Sequence, residues 1–218
     1  MDMMNVLALS FAGLPVLGIV VSNLLHGERR RVNRKYVDGV VAALYAACAA
    51  AEFFLLNARG LSSYNLNFFS SLPGGPGAEY FALTRFGLVV MFCMGVVALS
   101  SVLIATRTIR IKTNSYSNLL MILLLGMTGL IIATDLFTLY AFMEITGIAS
   151  FIMIGMYKED ESLEGAFKYL VMSSVAGVLI LCGIAVLFMF TGSLRFANLV
   201  PIDVSLVTGT GRVVLSVS

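Results

Sequence analysis

The run TDLFTLYAFMEITGIASFIMIGMYK, residues 134–158, is apolar enough to cross a membrane, yet it carries one carboxylate, Glu144, close to its middle. A charged side chain at the centre of a membrane helix costs on the order of 2.5 to 3.5 kcal/mol even on insertion scales, so it normally faces a polar interior and marks an ion path. Glu144 stands nine residues after Asp135, which at about 1.5 Å per residue puts it roughly 13 Å inside the membrane, near the midplane. Its side chain is too short to reach either interface. Tyr140 and Gly147, at i−4 and i+3, flank it with a hydroxyl and with room for water. The bland alternative is a buried neutral acid hydrogen-bonded to a neighbouring helix.

Lys168 is the second charged group placed inside an apolar run, one turn after Glu164, so that the two share an i, i+4 face. The pair could be purely local, because a lysine one or two turns inside a helix end snorkels to the interface at little cost. Asp135 opens the fifth apolar run, where a carboxylate favours the helix dipole and caps the first turn. Desolvation favours the neutral form of both an acid and a lysine, whereas a nearby opposite charge favours the charged form of each. Moving the partner therefore toggles protonation. On this chemistry Glu144 is a proton-loading site, Lys168 its relay, and Asp135 with Glu164 secondary path or pairing groups.

Other polar groups in the apolar runs carry less. Glu52 and Arg85 sit near helix ends, where they pair or snorkel, and Thr146, Ser150, Ser173 and Ser174 hold water or bridge helices. Cys48, Cys93 and Cys182 lie in separate runs without paired spacing, and the single histidine, His26, sits in a basic loop. Neither a disulfide framework, a metal site nor a redox centre is expected from them, and no cofactor motif is present. Nothing points to nucleic acid.

Hydrophobic residues make up 59% of the 218-residue chain against 12% charged, and the mean hydropathy is +0.97. That balance excludes a soluble globular domain. Without the alternation of a barrel strand, the expected fold is an all-α, polytopic transmembrane bundle. Six spans are predicted, about 5–25, 37–56, 81–105, 119–133, 136–156 and 165–190, with the start of a seventh in the tail. The loop after the first span holds Arg29, Arg30, Arg31, Arg34 and Lys35, and the loop after the third holds Arg107, Arg110 and Lys112, whereas the second loop holds only Arg59. The amino terminus is therefore expected outside, with the Thr134-Asp135 turn on the same side. The chain reads as a single transmembrane domain over 1–218: three peripheral spans in 1–117, the chemistry-bearing spans in 118–195, and a tail in 196–218.

Over residues 118–195 the sequence resembles the antiporter-like subunits shared by respiratory complex I, Mrp-type cation/proton antiporters and membrane-bound hydrogenases. The resemblance rests on D-L-x-x-L-Y-x-F-M-E, with Asp135 and Glu144, on E-G-A-F-K-Y, with Glu164 and Lys168, and on a closing T-G-S-L at 191–194. The wording S-L-E-G-A-F-K-Y leans toward the hydrogenase and Mrp branches. The resemblance implies a proton- or sodium/proton-translocating subunit, itself free of cofactors, that works with other membrane subunits of a redox-driven or antiporter complex in a prokaryotic plasma membrane. It also implies more than twice as many spans and a seventh-helix lysine paired with Glu144, so this chain is expected to be a fragment or a split subunit. The contrasting expectation is a structural membrane subunit that anchors a larger assembly and moves no ions.

Overall fold

The structure is a computed structural model that describes residues 3–24, 31–60, 63–65, 81–108, 113–157 and 159–199. The loop with His26, Arg29 and Arg30, the LPGGPG run at 72–77, Arg110 and Lys112, Lys158 and the tail from 200 lie outside the described residues. Each of the six apolar runs falls on one helix: α1 Met3–Leu24, α2 Arg31–Ala58, α3 Arg85–Thr108, α4 Thr113–Ile132, α5 Leu136–Ile154 and α6 Asp160–Thr191, followed by the single turn α7 Phe196–Leu199. Lipid offers the backbone no hydrogen-bonding partner, so an apolar run of this length satisfies its amides internally as a helix.

The ends differ from the apolar boundaries for a physical reason. Hydropathy senses where lipid stops, while the hydrogen-bond ladder continues into polar sequence, so α2 and α6 begin several residues before their apolar runs. Asp160 and Glu161 in the first turn of α6 suit the positive end of its dipole. At α3 the reverse holds. Ala82–Thr84 forms β2, paired antiparallel with β1, Ser63–Asn65, in the register Tyr64↔Leu83. Thr84 then caps α3, its hydroxyl accepting from the Gly87 amide at 3.0 Å.

Among the described residues four segments are long and apolar enough to cross a membrane: Gly39–Ala58, Arg85–Ala105, Leu136–Ile154 and Asp160–Thr191. Helices α1 and α4, 22 and 20 residues long, are apolar over their described stretches Ser10–Val21 and Tyr116–Ile132. At about 1.5 Å per residue α6 is roughly 48 Å long, more than the ~30 Å hydrocarbon core, so part of it extends beyond the lipid tails.

Helices α1 to α4 enclose a common core, with α1 against α2 and α4, and α3 against α2 and α4. Across the diagonal the Tyr45 hydroxyl meets Thr128 Oγ1 at 2.6 Å. Ala42, Tyr45, Ala49, Glu52 and Leu56 form one inward stripe of α2 at helical spacing. Phe11 of α1 packs edge-on to Tyr45, ring centroids 5.4 Å apart, and Leu88, Met91 and Leu124 complete the core. Beyond the bundle, α5 packs on α4 and α6 on α5. Small residues set the close approaches, as they do between helices in lipid. A Cβ at Gly126 would strike Thr146, and one at Gly129 would strike the Phe142 ring.

The tightest α2–α3 approach gives a test. A Cβ at Gly95 would lie 2.8 Å from the Ala46 Cβ and 3.0 Å from its backbone, so a side chain there forces the two helices apart. Gly95→Val is expected to lower stability by about 1–3 kcal/mol, the usual cost of overpacking. A thermal melt of the detergent-solubilised protein checks this, and an unchanged midpoint would contradict the packing.

Candidate functional site

The α5–α6 hairpin is fixed at its α4–α5 end before any functional side chain is placed. Asp135 adopts extended backbone angles, φ −135 and ψ 155, as the N-cap of α5, and its Oδ1 accepts from the Thr138 amide at 2.8 Å. At the other side of the hairpin α6 stops at Gly192, whose φ of 67 gives the left-handed turn that ends many helices. The Ser193 amide donates to Thr191 Oγ1 at 3.3 Å, and Asn198 Nδ2 donates to Ser193 Oγ at 2.8 Å. The returning chain then pairs with the cap: the Leu136 amide donates to the Leu194 carbonyl at 3.0 Å and the Phe196 amide to the Thr134 carbonyl at 3.1 Å. Asp135 and T-G-S-L, far apart in sequence, are thus one structural unit.

With the ends tied, facing residues along the antiparallel pair follow in order. Gly155 lies against Ala166, Gly147 faces Ser173, and Glu144 reaches Gly177. A Cβ at Gly177 would collide with the Glu144 carboxylate, so the absent side chain is what gives the acid its place between the helices. Tyr140, one turn earlier on α5, hydrogen-bonds the Glu144 carboxylate through its hydroxyl, and the same hydroxyl lies 3.5 Å from the point where a Gly177 Cβ would sit. Glu144 is therefore half-buried in a small polar setting made by Tyr140 and by the backbone of α6.

Lys168 is placed elsewhere. Its Nζ is 2.6 Å from Glu164 Oε1, and the two side chains are 72% and 65% exposed. Nine residues separate Lys168 from Gly177, about two and a half turns, which puts them on opposite sides of α6 and about 13 Å apart along it. The lysine shares its side with Met172, Val175 and Leu179, all exposed among the described residues. The structure thus joins Lys168 to Glu164 and does not bring it to Glu144. Asp135 is 7% exposed, and its Oδ2 has no hydrogen-bond partner among the described residues.

Two polar expectations change. Thr146, Ser150 and Ser174 each donate to the carbonyl one turn back, at 2.8 Å, and so satisfy their hydroxyls within their own helices rather than bridging to another. Glu52 neither pairs with Arg85 nor snorkels: it is 1% exposed, and neither oxygen has a hydrogen-bond partner among the described residues. Its seven-residue spacing from Tyr45, on the stripe with Ala49 and Leu56, was the signal for an inward acid. All three cysteines are free, and no group of three metal-ligating side chains occurs among the described residues.

Membrane-length helices with a carboxylate set between two of them define a helical membrane protein with an intramembrane polar site. Residues 133–217 match the family described as NADH:quinone oxidoreductase/Mrp antiporter, TM. The chain is 28% identical over 189 residues to NADH-quinone oxidoreductase subunit N of Francisella tularensis subsp. holarctica, covering 85% of this chain and 36% of that protein. It is 36% identical over 77 residues to a Na(+)/H(+) antiporter subunit of Alkalihalophilus pseudofirmus, covering 35% of this chain and 16% of that one. Among solved structures it is similar to a chain of the membrane-bound sulfane sulfur reductase (MBS), an archaeal respiratory membrane complex. That likeness has a TM-score of 0.78 and 25% identity, over 89% of this chain and 39% of the other. The chain spans well under half the length of each of these relatives. The resemblance to antiporter-like subunits therefore holds, with relatives from both the oxidoreductase and the antiporter branches.

The cap is open to direct measurement. Asp135→Ala removes the acceptor of the Thr138 amide and is expected to destabilise by about 1 kcal/mol, whereas Asp135→Asn, which keeps a capping oxygen, stays close to wild type. Thermal unfolding of both variants separates the cases. Equal loss in both would mean that the charge, and not the cap, matters.

Proposed function

We propose that this chain is a proton- or sodium/proton-translocating membrane subunit, or the amino-terminal part of one, working with other membrane subunits of a redox-driven or Mrp-type complex. The observation that carries the reading is the Glu144 carboxylate, held between α5 and α6 where Gly177 leaves room and Tyr140 supplies a hydroxyl. An acid in that place exchanges a proton with little rearrangement, since the hydroxyl can donate to the charged form and accept from the neutral one. Glu144 is the loading site, Lys168 the relay, and Asp135 and Glu164 serve the path or pair with its charges. Six crossings with the amino terminus outside suit this role, with 1–117 as peripheral spans, 118–195 as the translocating part and 196–218 as a tail or the start of a next span. The setting is the plasma membrane of a prokaryote.

Because Lys168 looks away from Glu144, the cation that switches Glu144 comes from a helix beyond those described here. That helix, in this chain or another, covers the polar side of the α5–α6 pair and presents a lysine or arginine near the midplane. The Lys168 side of α6, with its exposed apolar stripe, meets lipid or a further subunit.

Three replacements test the proposal in the assembled complex in membranes. Glu144→Gln keeps the shape and removes the titration, so assembly persists and ion-coupled activity falls to the level of an uncoupled control. Unchanged proton or sodium transport would leave the chain as a scaffold. Gly177→Ala drives a methyl group into the carboxylate's place and gives the same loss of transport without touching a titratable group. Lys168→Ala removes an exposed i, i+4 pair worth about 0.3–0.5 kcal/mol, so stability hardly moves while coupling is partly reduced. Full coupling in that variant would return Lys168 to a snorkelling role.

A further inference from the structure

Glu52 is the more deeply buried of the two acids, Glu52 and Asp135, that the described residues hold inside the structure. It lies on the inward stripe of α2, seven residues beyond Tyr45 and therefore on the same side of the helix. Tyr45 reaches across to Thr128 of α4, and α2 and α4 run in the same direction. Seven residues further along each helix, Glu52 comes to about the level of the α4–α5 turn. Only six residues separate it from the end of α2, about 9 Å. It is thus near the end of the bundle that carries β1 and β2, yet closed from the surface.

Facing this interior are Phe11 from α1, Leu88 and Met91 from α3, and Leu124 with Thr128 from α4. Tyr45 is the one other fully buried titratable side chain on these inward helix faces among the described residues, Cys48 is partly buried against the same core one turn before Glu52, and the buried Asp135 lies in the α4–α5 turn. The Tyr45 hydroxyl donates to Thr128 Oγ1, because that oxygen's own hydrogen goes to the Leu124 carbonyl at 2.6 Å. The pair is complete in itself and two turns away. Arg59 and Arg85, at the β1–β2 end, make no hydrogen bond to Glu52. A carboxylate so placed is an uncompensated buried charge, and a bound cation removes that cost. A metal ion would demand several more oxygen ligands, which this apolar neighbourhood does not offer. A proton needs none.

We propose that the α1–α4 bundle holds a second proton-exchanging carboxyl, Glu52, apart from the α5–α6 site and loaded from the end of the bundle that carries β1 and β2. The proposal stands on the α1–α4 interior and does not depend on transport through Glu144. Infrared difference spectra of the full chain in its membrane complex, reconstituted in liposomes and stepped between alkaline and acidic buffer, test it. The expected result is a carboxylic C=O band that appears on acidification, shifts in D2O, vanishes in E52Q, changes frequency in E52D and persists in E144Q. An E52Q spectrum superimposable on the wild type overturns the proposal. So does a Glu52 band present at every pH, which would make it a fixed structural acid, or one displaced by sodium at constant pH, which would make it a metal-cation site. Should E52Q fail to accumulate in the membrane, E52D decides: an unaltered band there overturns the proposal.

Discussion

Two helices in lipid approach closely only where one of them lacks a side chain, and the α5–α6 contact is built on that constraint at Gly177. The acid on α5 occupies the volume that a methyl group on α6 would fill. Such a fit tolerates no slip: a shift of one residue along α6 would present Val178 or Ala176 in place of the glycine. Register is therefore the quantity the hairpin has to protect. Apolar contact alone does not fix it, since lipid tails are as apolar as the side chains they replace. The pairing of Thr134–Leu136 with Leu194–Phe196, stiffened by the Asp135 cap and the Gly192 turn, supplies directional bonds at one end. The site some 13 Å away inherits its alignment from them.

The same reasoning sorts the polar groups by what they still lack. Hydroxyls on Thr146, Ser150 and Ser174 are satisfied by the carbonyl one turn back, and interhelical hydrogen bonds in membranes contribute only about 0.6 kcal/mol on average. A carboxylate is another matter, at a few kcal/mol when its charge is uncompensated. Among the acids with described side chains that enter the hydrophobic part of the fold, Glu144 has the Tyr140 hydroxyl, Asp135 has an amide on one oxygen, and Glu52 has no partner on either. Unmet demand is thus concentrated in carboxyl groups, and these are where cation chemistry is to be sought.

Much of this was legible in the sequence, and the parts that were not share a cause. Apolar runs identify helices because lipid leaves the backbone no alternative, and counting from Asp135 gives the depth of Glu144 because helical rise is constant. The Glu164–Lys168 pair is equally local. What a run of letters does not reveal is which side of a helix looks inward. Glu52 reads as an end group when only its distance from the loop is counted, and becomes a core group once Tyr45 marks the inward side of α2. The meeting of T-G-S-L with Asp135 joins residues more than fifty positions apart, and no propensity encodes it. Hydropathy sees six runs and each falls on one helix, four of them long and apolar enough to cross a membrane over their described residues.

The geometry of α6 bears on how Glu144 and Lys168 communicate. At a separation of at least about 13 Å, two unit charges interact by on the order of 1 kcal/mol at an effective dielectric of about 20, against about 4 kcal/mol for a pair at 4 Å. A direct ion pair could hold or release a proton decisively, whereas the weaker figure changes a protonation equilibrium less than tenfold. Lys168 is meanwhile already compensated by Glu164 at 2.6 Å. In this arrangement α6 acts as a partition, with the acid on one side and the ion pair on the other. Charge on the Lys168 side reaches Glu144 strongly only if α6 itself turns or shifts, and Gly177 is the point at which such a movement is felt at once. A small rotation brings a neighbouring side chain against the carboxylate, so displacement of the helix is felt directly at the acid.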